Sequence, residues 1–217
     1  MDFEKKHVTN IYNIIGEHFD TTRSYIWKCV IDFMKLIPKN SILLEIGCGN
    51  GKHLKYRNDI FSLGLDNSEK MIEICHNKKL PIIKADIHNL PFRDNSIDNI
   101  ICVAVLHHLK GKSQQKKAIQ NMIRICCDNG LILITVWDIS IVLKKKKSRI
   151  KCLTNNEYLI GYKMSDLNTI HYRYYNLFNK QSILDLIEGM DDIITLIKIY
   201  NSCNNWVFIL KKKKINF

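Results

Sequence analysis

Several kinds of segment are missing from this sequence of 217 residues. It has no apolar run of about 18 residues, which excludes a transmembrane helix. Residues 1–7 contain no hydrophobic signal-peptide core, so we expect no secretory targeting and no membrane contact. The eight cysteines include no C-x-x-C pair, which argues against a disulfide framework or a zinc site. We therefore expect a cytoplasmic, and in part nuclear, protein with reduced thiols and no bound metal.

Acidic residues are also scarce relative to basic ones. The chain has 33 Lys and Arg against 21 Asp and Glu, a net charge of +12. Such an excess favours an anionic partner, with nucleic acid the first candidate. Because the chain is rich in Lys, Ile and Asn, a compositional bias is the alternative explanation.

Basic residues are densest in one eight-residue segment, 144–151. A segment of this kind suits phosphate contacts, which position a nucleic acid without reading its sequence. The structural alternative is a solvated lysine loop. The candidate RNA-binding residues are Lys144, Lys145, Lys146, Lys147, Arg149 and Lys151.

Strand and helix signals alternate through the middle of the chain. Apolar residues at helix spacing predict a helical segment over residues 8–36. The signals that follow are strands at 41–46, 61–65, 81–85, 97–103 and 130–137, and helices from about residue 51 and at 68–77 and 113–127. This alternation predicts a mostly parallel sheet with helices on both faces. After a helix at 180–188, two apolar runs joined by a turn-rich segment predict an antiparallel hairpin at the sheet edge.

A glycine-rich turn follows the first of these strands. In residues 45–51, E-I-G-C-G-N-G, glycine stands at every second position after the glutamate, and it permits positive φ and close backbone approach. A dinucleotide fingerprint would need glycine where Lys52 stands. Carboxylates, Asp66 and Asp86, end the next two predicted strands. The pattern predicts a nucleotide-containing cofactor, and its alternative is another doubly wound fold in which these carboxylates are helix caps or turn residues.

The turn and its carboxylates resemble motif I of S-adenosylmethionine-dependent methyltransferases. The resemblance implies an α/β, Rossmann-like sheet of seven strands and S-adenosyl-L-methionine as the cofactor. It implies that Glu45 organises the turn and the methionine ammonium, that Asp66 accepts the ribose hydroxyls, and that Asp86 faces the adenine amino group. The residues expected to bind the cofactor are Glu45, Gly47, Cys48, Gly49, Gly51, Asp66, Asn67, Asp86, Ile87 and Val103.

Four further segments resemble a narrower family. They are F-x-x-T-R-x-x-x-W at 19–27, A-V-x-H-H at 104–108, R-Y-Y-x-x-F at 173–178 and the ending that begins Asn205-Trp206. In this order they resemble the eukaryotic tRNA wobble-uridine methyltransferases, which methyl-esterify 5-carboxymethyluridine, and the methyltransferase domain of the related AlkB-like tRNA hydroxylase. The likeness covers residues 8–211. It implies a tRNA anticodon stem-loop as substrate and a small zinc-binding activator subunit as partner.

The implied reaction needs no general base, because a carboxylate acceptor is already an ionised nucleophile. The site must hold the methyl donor and the acceptor in line, and it must bind the acceptor carboxylate. Arg23 is the first candidate for a carboxylate or cofactor contact, and its structural alternative is a helix cap. His107 follows the strand whose end should meet the transferred methyl group, and Arg173 could hold the substrate carboxylate or a phosphate.

We expect a single methyltransferase domain over residues 1–217. Its parts are an N-terminal helical segment (1–40), a cofactor-binding core (41–138), a basic substrate-side insertion (139–171) and a C-terminal completion of the sheet (172–217). Two other functions remain open. A small-molecule methyltransferase of the quinone-biosynthesis type would share the glycine turn but would not need Arg23, Arg173 or the lysine cluster. A catalytically inactive RNA-binding relative would keep the fold alone.

Overall fold

The structure is a computed structural model that describes residues 2–144, 147–164 and 169–214. Its helices are α1 (Asp2–Glu4), α2 (Asn10–Thr22), α3 (Lys28–Met34), α4 (Glu69–Asn77), α5 (Lys112–Ile125), α6 (Ile141–Lys144) and α7 (Lys180–Ile187). A π-helical segment at Lys5–Thr9 joins α1 to α2, and short 3-10 turns stand at Leu106–His108 and Lys147–Arg149. Its strands are β1 (Ile42–Ile46), β2 (Phe61–Asp66), β3 (Ile82–Lys84), β4 (Ile97–Val103), β5 (Cys126–Trp137), β6 (Ile150–Cys152), β7 (Glu157–Lys163), β8 (Ile170–Asn176), β9 (Ile194–Ser202) and β10 (Asn205–Lys212).

The larger sheet contains seven strands in the order β3-β2-β1-β4-β5-β10-β9. Its first five strands run parallel, while β10 pairs antiparallel with both β5 and β9. In the hairpin between β9 and β10, Cys203 and Asn204 both have positive φ, as a tight two-residue turn requires. The predicted mostly parallel sheet with an antiparallel C-terminal hairpin is therefore confirmed.

The two faces of this sheet carry separate hydrophobic layers. Successive strand side chains point to opposite faces: Ile100 packs in the layer that contains residues of α5 and α7, and Ile101 packs in the layer that contains residues of α3. Helices thus cover both faces, as the alternation predicted. No helix of the described ranges has the length and apolar character needed to cross a bilayer.

A second, smaller sheet was not predicted. It has three antiparallel strands in the order β6-β7-β8, in a part of the chain with few periodic signals. Residues of β8 such as Arg173, Tyr174 and Tyr175 are all buried, although they alternate between the faces of the strand, so the usual alternation of polar and apolar residues is absent. Since β8 spans Ile170–Asn176, residues 172–176 complete this smaller sheet and not the larger one.

Two helix predictions are corrected by the structure. The segment over residues 8–36 is broken between α2 and α3, where Arg23 leaves the helical region with φ −130° and ψ 45°. No helix begins near residue 51; turns occupy that stretch. Arg57 fixes the end of the stretch, because its Nη1 donates hydrogen bonds to the carbonyls of Met34 and Ile37.

Candidate functional site

One cavity opens at the carboxyl ends of β1, β2 and β4, the edge where parallel α/β sheets bind ligands. The N-terminal segment and the smaller sheet cover it, so that Tyr12 of α2 and Arg173 of β8 both line it. The cavity also contains all the residues predicted for cofactor binding or catalysis except Gly51. The structure therefore brings together side chains that are far apart in the sequence.

The glycine turn forms part of the cavity wall. Gly47 has φ +67°, and a Cβ built on it would lie 2.3 Å from Cγ2 of Val105, so no larger residue fits there. The N–H of Gly49 donates a hydrogen bond to Oδ2 of Asp66 (2.9 Å). Gly51 faces away from the cavity, since its Cβ would meet Leu80 at 2.4 Å, and it therefore serves packing under the turn.

The carboxylates after β2 and β3 also take part in local turns. Oδ1 of Asp66 accepts from the N–H of Ser68 (2.9 Å), and Oδ1 of Asp86 accepts from the N–H of His88 (2.9 Å). Asn67 links them, because its amide donates to Oδ2 of Asp86 (3.2 Å). Burial raises the pKa of Asp66. These carboxylates are thus turn residues, as the structural alternative held, and cavity-lining acceptors at the same time.

Glu45 forms the most buried acidic group of the cavity wall. One of its oxygens, Oε1, lies 2.6 Å from Nδ1 of His53. The other, Oε2, is buried and has no hydrogen-bond partner among the described residues. A buried carboxylate oxygen without a donor costs free energy, so the arrangement suits a cationic ligand group.

Apolar side chains also line this part of the cavity. Cys48, Ile87 and Val103 all contribute, and the first two are buried. A hydrogen bond with Cys75 and burial raise the pKa of the Cys48 thiol, which keeps it protonated. These residues suit the uncharged surface of a ligand.

Arg23 lies at the C-cap of α2, as its structural alternative predicted. Its Nη1 donates to the carbonyl of Thr22 (3.0 Å), and its guanidinium carbon is 5.7 Å from the ring centre of Phe19. The side chain is exposed yet lines the cavity. The structure therefore places a cation at the cavity mouth without any acidic partner among the described residues.

Arg173 is a buried cation inside a cage of tyrosine rings. Its guanidinium carbon lies 5.3 Å from the ring centre of Tyr12, 5.0 Å from that of Tyr162 and 5.4 Å from that of Tyr175. Nη1 donates to the hydroxyl of Tyr12 (2.8 Å). Within the described chain Arg173 has no acidic partner, and its buried Nε has no hydrogen bond at all. A buried cation of this kind suits an anionic ligand group.

His107 and His108 lie beneath this cage. The N–H of Trp137 donates to Nδ1 of His107 (3.1 Å). Nδ1 of His108 donates to the carbonyl of Tyr174 (2.7 Å), so Nε2 of His108 accepts from the Tyr12 hydroxyl (3.1 Å). Burial and the charge of Arg173 lower the pKa of His108 to about 3. Burial, with the nearby His108 and the charge of Arg173, also holds the pKa of His107 well below its usual value, so both imidazoles are neutral.

The predicted RNA-binding residues are only partly described. Lys145 and Lys146 lie outside the described residues, and only the backbone of Lys144 and Lys147 is described, at the end of α6 and the start of a 3-10 turn. Arg149 is partly buried, whereas Lys151 is exposed with Nζ 4.1 Å from the ring centre of Tyr172. Their RNA contact stays a prediction.

Sequence reasoning missed the tyrosines of the cage and His53. Tyr12 lay in a predicted helix where only the aliphatic spacing was interpreted, and Tyr162 lay in the segment without periodicity. The R-Y-Y block was a usable signal for Tyr175, which follows Arg173 by two positions on the same face of β8. His53 lies two positions after Gly51 of the glycine turn, so its position alone would have justified testing it.

Comparison with known sequences identifies relatives of the chain. The methyltransferase domain family matches residues 44–134. A tRNA (carboxymethyluridine(34)-5-O)-methyltransferase of Arabidopsis thaliana is 41% identical over 136 residues, which are 63% of this chain and 34% of that protein. A Schizosaccharomyces pombe protein of the same name is 28% identical over 232 residues, covering 97% of this chain and 99% of that one. The mouse protein ALKBH8, also so named, is 35% identical, and the chain spans 22% of it. The chain thus spans about a third or less of the Arabidopsis and mouse proteins.

Comparison with solved structures supports the fold. A chain of the complex between the Haloferax volcanii Trm112 methyltransferase activator and a methyltransferase superposes with a TM-score of 0.72 at 11% identity, covering 97% of this chain and 99% of that one. A methyltransferase of Methanosarcina mazei, described as S-adenosylmethionine-dependent, gives a TM-score of 0.70 at 15% identity, covering 87% and 98%. At these identities the likeness concerns the fold alone.

Proposed function

We propose that this chain, which belongs to the S-adenosylmethionine-dependent methyltransferases and is a relative of the tRNA carboxymethyluridine methyltransferases, methyl-esterifies 5-carboxymethyluridine at the wobble position of tRNA. The product would be 5-methoxycarbonylmethyluridine. The relatives' names support this acceptor, and the cavity supplies the physical argument for it.

The cavity fits S-adenosylmethionine, the cofactor of this domain family. The unpartnered Oε2 of Glu45 can accept from the α-ammonium group, and the glycine turn leaves room for the amino-acid portion. Asp66 and Asp86 retain free lone pairs for the ribose and adenine groups. When bound, the cofactor supplies an electrophilic methyl group on a sulfonium centre.

The single observation that carries the acceptor proposal is the buried guanidinium of Arg173, which has no acidic partner among the described residues. A carboxymethyl group would bring the missing anion into the cavity that Arg173 shares with Glu45. Burial lowers the pKa of His107 and of His108, so both imidazoles are uncharged, and an ionised carboxylate acceptor needs no general base from them. Catalysis then consists chiefly of holding two reactants in line.

The same proposal includes the macromolecular partners. The basic segment that contains Arg149 and Lys151 supports contact with the phosphates of a tRNA anticodon stem-loop. A small zinc-binding activator subunit is proposed as a partner, supported by the fold shared with the methyltransferase in the Trm112 complex. A cytoplasmic site of action belongs to the proposal as well.

The test is methyl transfer to an anticodon stem-loop that carries 5-carboxymethyluridine, with and without an activator subunit, followed by nucleoside mass spectrometry. We expect the methyl ester to form only on the carboxymethylated RNA. Arg173→Met should lower kcat/KM by about 100-fold or more, since a buried charge-assisted pair is lost. It should leave the affinity for S-adenosylhomocysteine within about threefold.

Arg173→Lys is the matched variant, because it keeps the charge but loses the planar fork of donors. We expect an intermediate loss of activity. Equal methylation of unmodified uridine, or full activity of Arg173→Met, would contradict the assigned acceptor. A small-molecule methyltransferase would show neither the RNA product nor a dependence on the basic segment.

A further inference from the structure

Glu45 and His53 form a buried pair whose second member has no assigned role. Glu45 stands on β1, and His53 follows the glycine turn. Their side chains are 2% and 3% exposed, and Nδ1 of His53 lies 2.6 Å from Oε1 of Glu45. Both residues line the cavity. A buried contact of this length between an imidazole and a carboxylate fixes both side chains.

We propose that His53 is a positioning residue for the cofactor: it holds the Glu45 carboxylate so that Oε2 accepts from the α-ammonium group of the methionine portion. The inference rests on the proposed methyl-transfer function and concerns the cofactor end of the same cavity. His53 acts through Glu45 and touches neither the methyl group nor the acceptor.

The hydrogen-bond pattern of Glu45 supports this role. Among the described residues, His53 is the only donor to the Glu45 carboxylate, and Oε2 is left buried without a partner. An ammonium group supplies both the missing N–H donors and the opposite charge. A cavity wall that leaves one carboxylate oxygen free is therefore prepared for a cationic group of a ligand.

The length of the glutamate side chain explains why an anchor is needed. Glutamate has one more rotatable bond than aspartate, so its carboxylate can occupy more positions when it is unbound. The bond from Nδ1 of His53 selects one of these positions before the ligand arrives. Nε2 of His53 has no partner among the described residues, so this bond to Glu45 is the imidazole's only hydrogen bond there. Loss of this hydrogen bond should therefore weaken binding of the ammonium group and leave binding of the adenosine portion unchanged.

The experiment compares two ligands by isothermal titration calorimetry. S-Adenosylhomocysteine carries the amino-acid portion, and 5′-methylthioadenosine lacks it. His53→Leu should weaken the binding of S-adenosylhomocysteine about 10- to 100-fold, since one hydrogen bond that orients a charged group is lost. The affinity for 5′-methylthioadenosine should change less than about twofold, since that ligand has no ammonium group to lose.

His53→Asn is the rescue variant, because its amide can donate from near the position of Nδ1, and it should restore most of the affinity. His53→Gln places its amide farther along the side chain and should bind S-adenosylhomocysteine more weakly than His53→Asn. The comparison of His53→Asn with His53→Gln tests the positioning role even if His53→Leu does not fold. Equal weakening of both ligands, unchanged affinity in His53→Leu, or equal binding by the Asn and Gln variants would overturn the proposal. An enzyme that shows the ligand split but fails to methylate the stem-loop would refute the proposed acceptor alone.

Discussion

The two halves of the cavity differ in charge and in construction. The cofactor half, formed by the glycine turn with Glu45, Asp66 and Asp86, is acidic and rests on the ends of parallel strands. The acceptor half, formed by Arg173, its tyrosine cage and the histidine pair 107–108, is cationic. Its arginine and tyrosines lie on the smaller sheet and α2, and its histidines lie on the 3-10 turn after β4.

This difference matches the two reactants of a methyl-ester synthesis. A sulfonium cofactor with an ammonium group requires carboxylates, while an ionised carboxylate acceptor requires an arginine. Each half also keeps a charged group with a buried atom that has no partner in the described chain, Oε2 of Glu45 and Nε of Arg173. Under the proposed function, the ammonium group of the cofactor would reach Glu45 and the acceptor carboxylate would reach Arg173.

The largest expected effect concerns the cofactor half. Gly47→Ala would place a methyl group 2.3 Å from Cγ2 of Val105, in a residue with φ +67°, so the turn must shift. We expect the affinity for S-adenosylhomocysteine to fall by about 100-fold or more, which is about 2.8 kcal/mol, because the backbone next to the methionine portion is displaced. Calorimetry measures the change.

Gly189→Ala is the matched control for Gly47→Ala. Gly189 has a similar φ, +75°, but a Cβ there meets nothing within 4 Å. Both variants should lose about 1 kcal/mol of stability from backbone strain. Only the first should lose ligand affinity. Equal affinity losses would mean that strain, and not the shape of the turn, governs cofactor binding.

A smaller effect is expected on the free energy of unfolding when the pH is lowered, and it arises in the acceptor half. Since the pKa of His108 is lowered to about 3, the folded state stays neutral there while the unfolded chain takes up a proton below about pH 6.5. The unfolded state then binds more protons, so the free energy of unfolding falls as the pH drops below that value. The slope is about 1.4 kcal/mol per pH unit for one such group.

His108→Asn should reduce this slope, because the amide can still donate to the carbonyl of Tyr174 but cannot titrate. Urea unfolding between pH 5 and 7 measures the slope for both proteins. His107 keeps its own contribution in the variant, since its pKa is also lowered by burial. Identical slopes in the two proteins would show that His108 is not held neutral by the acceptor half.

The cofactor half was easier to predict from sequence than the acceptor half, for a physical reason. Glycines and carboxylates at strand ends are fixed by local geometry, so Gly47, Asp66 and Asp86 could be located from spacing alone. The larger sheet was predictable for the same reason, because each βαβ unit carries its own periodic signal. Gly51 was the exception, since the spacing does not show which glycine packs against Leu80.

The acceptor half depends on contacts between distant segments. Tyr12 and Arg173 are 161 positions apart, yet their side chains share a hydrogen bond. Nothing in the local sequence around either residue encodes that contact. The smaller sheet escaped prediction in part because β8 buries polar and aromatic residues on both faces. The family resemblance pointed to Arg173, but only the structure showed that no acidic side chain of the described residues pairs with it.

The smallest expected effect concerns the N-terminal segment that covers the cavity. Glu4 lines the cavity, and its Oε2 lies 2.8 Å from Nε2 of His88. That hydrogen bond raises the pKa of His88, so the contact contributes its full stability below about pH 6.5 and loses it as the pH rises through the folded pKa. His88→Gln should be less stable than the unmodified protein at pH 6, by less than about 1 kcal/mol, and the difference should shrink towards pH 9. Thermal unfolding at both pH values measures it. The pH dependence of this contact has the opposite sign to that of His108, so mild acid should stabilise the N-terminal contact while it destabilises the acceptor half. A stability difference between His88→Gln and the unmodified protein that grows with pH would refute the role of the Glu4 contact.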